Sequence, residues 1–375
     1  MVLKMKMSFR IGKIYGVPIR LHFTLIFIIA LIAWSVGSNV LLLAETLGLP
    51  APDIEVGLQS YLLGVVIAVG LFVSVLIHEL AHSIVSIKSG FNVDEISLWL
   101  FGGVSKMEEI PKDPNLEIKI SAVGPLSSIA LGVLAFVGGT LAVNDILVFT
   151  LLYLSFINFF LAGFNLIPAF PMDGGRILRA LLAKRFSYVK ATTTAASIGK
   201  VFAVIFAVLG FFVNIFLLLI AFFIYMAASQ ESQSAVVEHV LGRVSVRDVM
   251  TREVETIDPD SSLDDFLDMV KTHRHTGFPV SRDGAILGII SLKDAKEVPE
   301  HDIPVKRVSE VMKTDFVTLD PDQDANTAWK KMLNQGLGRF PVIENEKLVG
   351  IVTRSDIDKA FNLQRELIEV GPDEL

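Results

Sequence analysis

The chain has 375 residues, of which 52% are hydrophobic and 19% are charged. Soluble globular proteins carry about 25% charged residues, so this composition indicates a membrane protein. A net charge of −7, with no basic stripe of domain size, argues against a nucleic-acid partner. The chain has no cysteine, so any metal must be held by histidine and carboxylate side chains.

Long apolar stretches fill the chain before Ser229, and a membrane-spanning helix needs about 20 apolar residues. A fifth block, residues 191–228, is too long for one straight helix at about 1.5 Å per residue in a hydrocarbon core of about 30 Å. We predict two helices there that turn near residues 211–214; one long helix that leaves the membrane is the alternative. The four separate spans are predicted at residues 22–38, 60–87, 118–142 and 146–167.

Lysine and arginine lie on one side of these six spans. The first segment and the loop after the fourth span are basic, whereas the loop between the first two spans has no basic residue. Because cytoplasmic loops are enriched in lysine and arginine, we expect a multi-pass protein of the cell membrane with cytoplasmic N- and C-termini. The basic residues are Lys4, Lys6, Arg10, Lys13, Arg20, Arg176, Arg179, Lys184, Arg185 and Lys190.

The second span contains the run HELAH, which begins at His78. Residues four apart face the same side of a helix, so His78 and His82 can bind one zinc ion, with Glu79 as general base on a water bound to it. A chance match is the alternative, because only three positions of the motif are fixed. Ionisable groups inside a membrane are costly unless they are buried, paired or ligated, and this cost favours metal binding.

A catalytic zinc takes three protein ligands and keeps one position open. The other five histidines lie at the start of the first span or in the soluble part, so we expect a carboxylate on the cytoplasmic side as third ligand. Asp173 fits, because it follows the fourth span in backbone broken by proline and glycine, which is tolerated at that depth beside protein or a wet cavity. The alternative role is an N-cap of a helix that begins near Gly175.

HELAHS in one span and NLIPAFPMDGGR after another resemble the motifs of the site-2 protease family of intramembrane zinc metalloproteases, peptidase family M50. The resemblance covers about residues 8–230. It implies that His78, His82 and Asp173 hold one zinc ion and that Glu79 is the catalytic glutamate. It also implies that Asn165 steadies the substrate or the oxyanion; a helix–helix hydrogen bond is the alternative.

Two further segments are similar to the same family. LWLFGGVSKME, residues 98–108, resembles a hydrophobic strand and loop, and an edge strand there could pair with an extended substrate. A hairpin turn at residues 102–103 is the alternative. VGPLSS, residues 123–128, resembles a Gly-Pro signature in which many members have asparagine in place of Ser128. Pro125, placed in the first turn of the third span, is otherwise an ordinary helix start.

An internal repeat follows Arg243, with a constant offset of 62 residues between paired landmarks. An ungapped offset of this kind indicates one structural unit used twice, and each copy is predicted as a helix flanked by strands. The landmark pairs are Met250 and Met312, Pro259 and Pro321, Pro279 and Pro341, Gly288 and Gly350, and Asp294 and Asp356.

The repeat resembles a pair of cystathionine-β-synthase (CBS) domains. In that family a G-x-x-S/T-x-x-D signature binds adenosine ribose through its aspartate and phosphate through its hydroxyl. Phosphate would then lie at a helix N-terminus near Lys293 or Arg354. The alternatives are helix N-caps and a module that serves only to form a homodimer. The matching residues are Ser291, Asp294, Thr353 and Asp356.

The sequence therefore predicts a polytopic α-helical membrane protein of six spans with a soluble α/β CBS-pair domain. The expected function is a zinc metalloendopeptidase that cleaves single-span transmembrane proteins in the lipid bilayer, regulated by adenine nucleotide (ATP, ADP or AMP). A transporter or channel gated by the CBS pair is the alternative. We expect a protease domain at 1–232, a linker at 233–243, CBS repeats at 244–299 and 300–361, and a tail at 362–375.

Overall fold

Six helices are long and apolar enough to cross a membrane, which confirms the predicted number of spans. The computed structural model describes residues 8–99, 102–107 and 112–370. Large apolar side chains such as Trp34, Leu134 and Phe160 are more than 60% exposed on these helices, as expected for a surface that faces lipid. The helices are α1 (Thr24–Leu47), α2 (Leu58–Lys88), α3 (Pro114–Leu141), α4 (Asp145–Asn165), the short α5 (Asp173–Ala183), and the spans α6 (Tyr188–Phe212) and α7 (Ile215–Leu241).

The fifth apolar block forms two helices, α6 and α7, as predicted. Two other boundaries differ from the prediction. Helix α1 has a kink at Asn39, directly after the predicted end of the span, and then continues to Leu47, where Gly48 in the left-handed region (φ 63°) ends it. Helix α3 begins at Pro114, because the Asp113 side chain accepts hydrogen bonds from the first turn. The placement of Pro125 in the first turn is therefore wrong, since it lies inside the helix.

The chain divides into two units between Ala235 and Val236. Helix α7 crosses this division without a break and ends at Leu241. Residues 233–241, predicted as part of a linker, are therefore helical. The apolar run ends near Ala228, but Gln230, Glu231 and Gln233 follow it and are good helix formers, so the helix continues.

A four-stranded sheet belongs to the first unit, and its strands come from two separate parts of the chain. They are β1 (Ser8–Ile14), β2 (Val17–His22), β3 (Val93–Trp99) and β4 (Gly102–Met107). The order is β1-β2-β3-β4, with β2 and β3 parallel and β3 and β4 antiparallel. Strand β4 lies at an edge, in the segment where an edge strand is predicted. Leu100, Phe101 and Glu108 of that segment lie outside the described residues.

The second unit contains both copies of the repeat. The first copy comprises α8 (Val246–Val249), α9 (Leu263–His273), β5 (Gly277–Arg282), β6 (Ala285–Ser291) and α10 (Leu292–Lys296). After a 3₁₀ turn at Glu300–Asp302, the second comprises α11 (Val308–Val311), α12 (Ala325–Gln335), β7 (Arg339–Glu344), β8 (Lys347–Thr353) and α13 (Arg354–Val370). One sheet of order β5-β6-β8-β7 joins the copies.

Each copy has its own hydrophobic core, but these cores do not follow the order of the repeats. Val246, near the start of the first copy, packs with Phe340 in the core of the second. Val308, before the second copy's main helix, packs with Phe278 in the core of the first. The copies therefore exchange their leading segments, and each core draws residues from both.

Candidate active site

Two histidines of α2 lie one helical turn apart on the face that α3 covers. The spacing of four residues brings His78 and His82 together, and both side chains are buried. Their Nε2 atoms are 3.2 Å apart. Helix α2 continues past both histidines to Lys88, so at 1.5 Å per residue the pair lies about 9–15 Å from the end of the span.

Asp173 reaches this pair from the start of α5. Its Oδ2 atom lies 3.2 Å from Nε2 of each histidine. The glycine that follows it lets α5 begin against the preceding loop, because a Cβ on Gly174 would lie 2.3 Å from the Leu166 carbonyl oxygen. Met172 is the N-cap of α5 and Asp173 is its first residue, so the alternative prediction of an N-cap role is wrong.

These three atoms suit zinc. Zinc binds imidazole nitrogen and carboxylate oxygen at about 2.0–2.2 Å, and tetrahedral geometry then keeps the donor atoms about 3.3 Å apart. The three separations here are 3.2 Å each. Asp173 Oδ2 is buried and has no hydrogen-bond partner among the described residues. A bound cation would satisfy this oxygen, which is otherwise costly to bury.

Helix α3 holds the far nitrogen of each imidazole ring. His82 Nδ1 lies 2.7 Å from the Ile120 carbonyl oxygen, which only accepts hydrogen bonds, so Nδ1 is the donor. His78 Nδ1 lies 3.0 Å from Ser128 Oγ. Both contacts fix the rings. The Ile120 carbonyl also leaves the His82 Nε2 lone pair for a metal, and the Ser128 hydroxyl does the same for His78 when it accepts from Nδ1. The VGPLSS motif drew attention to Ser128, but no side-chain pattern could have indicated a backbone carbonyl.

Glu79 is half-buried beside the edge strand β4. A Cβ on Gly103 would lie 2.4 Å from Glu79 Cγ and 3.2 Å from Glu79 Oε1. The strand backbone therefore passes directly against the carboxylate side chain. A peptide added to the edge of β4 would run close to Glu79 and to the ligands next to it in α2.

Asn165 is the last residue of α4. Its amide nitrogen donates a hydrogen bond to the Leu161 carbonyl oxygen at 2.9 Å. Among the contacts of the described residues, none joins Asn165 to Glu79 or to the three candidate ligands. The alternative prediction, a hydrogen bond to another helix, is also not seen there, since the bond lies within α4.

Helix α3 also passes close to both histidines at Gly124, a residue for which the sequence predicts no separate role. A Cβ at this position would lie 2.1 Å from His82 Nε2 and 2.7 Å from His78 Nε2. Gly124 belongs to a row of small buried residues on α3, with Ser121 and Ser128. Such a row is the signal that could have identified it, because small residues let two membrane helices approach closely.

Replacing Gly124 by alanine should displace both rings and lower zinc affinity by about 10–100-fold, the range found when the groups that orient metal ligands are disturbed. Zinc titration of the purified full chain measures this. Gly163→Ala on α4 is the matched control, because a Cβ there meets nothing within 4 Å. Equal zinc affinity of the two variants would contradict the inferred packing.

A buried ion pair supports α5 and therefore Asp173. The Arg179 guanidinium contacts both Glu117, at the start of α3, and Glu231, on α7. Its Cζ carbon also lies 5.1 Å from the ring centroids of Phe170 and Tyr188. These residues were missed at the sequence level, because Glu117 and Arg179 read as ordinary charges near helix ends.

Replacing Arg179 by methionine should lower the free energy of unfolding by about 3–5 kcal/mol, because Glu117 stays buried without its partner. Unfolding in detergent, followed for the full chain, provides the measurement. Arg185→Met, at an exposed position after α5, is the control and should have little effect. If both substitutions cost the same, the buried pair does not stabilise the fold.

The CBS-type signature residues form similar turns in the two copies, but the surroundings of these turns differ. Ser291 is the N-cap of α10 in a reciprocal capping box with Asp294, as the alternative prediction has it. Thr353 N–H and Oγ1–H donate to Asp356 Oδ2 at 2.9 and 2.7 Å. Thr353 and Asp356 also line a cavity of 530 Å³, whose lining does not include Ser291 or Asp294.

Asp294 has a further partner. Lys313 Nζ lies 2.6 Å from Asp294 Oδ1. Burial by itself raises the pKa of Asp294, but the Lys313 ammonium and the Ser291 hydroxyl outweigh burial and hold this pKa below its ordinary value. Asp294 is therefore ionised, and each of its two carboxylate oxygens already has a partner.

Comparison with known proteins gives consistent matches over both units. Peptidase family M50 matches residues 66–145 and 139–206, and the CBS domain matches residues 246–300 and 308–362. The zinc metalloprotease MJ0392 of Methanocaldococcus jannaschii is 37% identical over 364 residues, covering 96% of this chain and 97% of that protein. The zinc metalloprotease Rip3 of Mycobacterium tuberculosis is 31% identical over 379 residues, covering 96% and 94%. The solved site-2 protease from Methanocaldococcus jannaschii is 38% identical, covering 60% of this chain and 95% of that one, with a TM-score of 0.43.

Proposed function

Because this chain belongs to peptidase family M50, the zinc metalloproteases of site-2 protease type, and carries two CBS domains, we propose that it cleaves transmembrane segments of other proteins inside the lipid bilayer. The observation that supports this proposal best is the set of three donor atoms, each 3.2 Å from the other two. Two of them belong to α2, a helix long and apolar enough to cross a membrane. A hydrolytic site at that depth is of use mainly for peptide bonds that lie there as well.

His78, His82 and Asp173 would hold the zinc ion. When bound, zinc supplies a Lewis acid that polarises the peptide carbonyl and lowers the pKa of a water molecule to about 7. The Glu79 carboxylate takes a proton from the attacking water and passes it to the leaving amine nitrogen. The proton removed during attack is thus returned during bond cleavage, and Glu79 ends in its starting state.

Substrate would bind along the edge strand β4. Peptide bonds in a helix are shielded, so a substrate span must become extended before it can be cut. The free edge of β4 offers backbone partners to an extended segment, and Gly103 of this strand adjoins Glu79. An added strand would therefore present its peptide bonds close to the general base.

Asn165 would steady the substrate or the oxyanion. One hydrogen of its amide is engaged by Leu161, and the second, which has no partner among the described residues, could donate to developing negative charge. The role rests on the position of Asn165 in NLIPAFPMDGGR, eight residues before Asp173. A conformational change at the end of α4 is part of this proposal, because the resting side chain lies apart from the ligands.

The protein would place both termini and the CBS pair in the cytoplasm. The basic first segment and the basic loop around α5 support this orientation. It places the end of α2, the start of α3 and Asp173 on the cytoplasmic side. Cleavage would then occur near that face of the membrane.

Adenine nucleotide would regulate cleavage through the CBS pair. The cavity of 530 Å³ has the size of a small-molecule site. Asp356 can accept hydrogen bonds from ribose hydroxyls, and Arg354 supplies positive charge for phosphate. A homodimer formed through the same unit stays a prediction.

Cleavage in proteoliposomes tests this function. A single-span substrate with a different tag at each end should yield two fragments, and mass spectrometry should locate the cut within the span. A control substrate with a polar segment in place of the span should stay intact. Saturating ATP, ADP or AMP should change the rate by about 5-fold or more. Ion flux without any fragments would instead support the transporter alternative.

A further inference from the structure

The repeat builds two equivalent positions at residues 251 and 313, which differ by the 62-residue offset. Thr251 exchanges two backbone hydrogen bonds with Ile351, both of 2.9 Å. Lys313 exchanges the corresponding pair with Ile289, of 2.9 and 3.0 Å. Because the backbone is the same at both positions, the difference between the two lies in the side chain.

The first position faces an open cleft. The Asp356 cleft, as we name the cavity of 530 Å³, is lined by Thr251, Thr353, Arg354 and Asp356 among others. Asp356 receives its two local hydrogen bonds at Oδ2. Its Oδ1 atom has no partner among the described residues, so one carboxylate oxygen stays available to a ligand.

At the second position, Lys313 reaches Asp294, the counterpart of Asp356. We name this equivalent region of the first copy the Asp294 cleft. Asp294 Oδ2 accepts from the Ser291 hydroxyl and backbone N–H, just as Asp356 Oδ2 does from Thr353. Its Oδ1 atom is taken by Lys313 Nζ at 2.6 Å. A ribose hydroxyl would have to replace an ammonium, and charge-assisted hydrogen bonds are roughly twice as strong as neutral ones.

Two more differences favour the Asp356 cleft for a phosphate-bearing ligand. Arg354 follows the signature threonine, whereas Leu292 follows the signature serine. The helix that begins at Arg354 has 17 residues, whereas the one that begins at Leu292 has five. Lys293 supplies positive charge beside the short helix as well, but only at the Asp356 cleft does positive charge coincide with a long helix.

We propose that each chain binds one adenine nucleotide, in the Asp356 cleft, and that Lys313 keeps the Asp294 cleft closed. This rests on the proposed nucleotide regulation and gives it a fixed site and stoichiometry. With Lys313 paired to Asp294, nucleotide acts on one side of the pseudo-symmetric pair. The nucleotide signal is consequently asymmetric.

Exchanging the two side chains tests the proposal by equilibrium dialysis of the full chain in detergent with radiolabelled AMP, ADP and ATP. The unaltered chain should bind one nucleotide. Lys313→Thr, which copies the open position, should bind two, and Thr251→Lys should bind none. Lys313→Ala is a second opening variant. Asp356→Asn should weaken binding by about 10-fold or more, while Asp294→Asn should not.

Each other outcome overturns the proposal. Two nucleotides on the unaltered chain would refute the closed cleft but leave nucleotide regulation intact. One nucleotide on both opening variants would show that Lys313 is not the closing group. Absence of binding by all three nucleotides would refute the regulation as well. Substrate cleavage, measured on the same samples, reports separately on the protease proposal.

Discussion

Replacing Glu79 by glutamine should abolish measurable cleavage of a single-span substrate while the purified protein keeps its zinc. Glutamine has nearly the same shape and leaves the Nε2 atoms of His78 and His82 and Oδ2 of Asp173 in place. It cannot take a proton from water, so the contribution of a general base, about 10²–10⁴-fold in rate, is lost. Initial cleavage rates and zinc content, measured on one preparation, test this together.

A matched control is Glu55→Gln, at an exposed position in the loop between α1 and α2. This variant should cleave at the unaltered rate. Cleavage that is unchanged in Glu79→Gln would remove Glu79 from the chemistry. Loss of zinc together with activity would instead make Glu79 a ligand or a structural support of the site.

Replacing Asp173 by asparagine should remove zinc and cleavage together. A neutral amide is a poor zinc ligand, and two histidines by themselves leave the ion with too few donors. Loss of a direct ligand should lower zinc affinity by more than about 100-fold, since disturbing the outer groups of metal sites costs about 10–100-fold. Metal content after dialysis against a weak chelator provides the measurement.

Asp145→Asn is the control for this prediction, because Asp145 is also the first residue of its helix and is exposed. It should retain one zinc ion per chain. The contrast with Glu79→Gln is the informative part, since one variant loses metal and the other loses only turnover. Retention of zinc in Asp173→Asn would require a different third ligand.

Much of the membrane unit could be predicted from the sequence, because two strong physical constraints act on it. A hydrocarbon core limits the length of each span, so two helices were the favoured prediction for residues 191–228. Ionisable groups in such a span are costly unless they are buried, paired or ligated. The spacing of His78 and His82 therefore indicated a metal site. The other five histidines were poor candidates, so a carboxylate on the same side of the membrane was expected, and Asp173 fitted that expectation.

The remaining features depend on backbone atoms or on distant pairs. The Ile120 carbonyl that orients His82 has no side-chain signature. Gly124 matters because any side chain there would collide with the histidine rings. Arg179 and Glu117 are far apart in sequence, and nothing local links them. Pro125 was misplaced because the polar residues before it belong to α3, whose start is set by Asp113.

The repeat shows a different limit of sequence reasoning. The offset of 62 residues reports equivalence between copies, but the same offset arises whether or not the copies exchange segments. Val246 and Val308 therefore read as parts of their own repeats, whereas each packs in the core of the other copy. Equivalent signatures likewise concealed that Lys313 engages Asp294, whereas Asp356 has no such partner in the described part of the chain.

Removal and restoration of zinc tests the central claim most directly. The full chain, stripped with a chelator in detergent and mixed with a single-span substrate, should produce no cut within the span. Addition of zinc should restore the cut in proportion to bound metal, up to one ion per chain, and Asp173→Asn should not respond. Intramembrane cleavage by protein that holds no zinc would contradict the account.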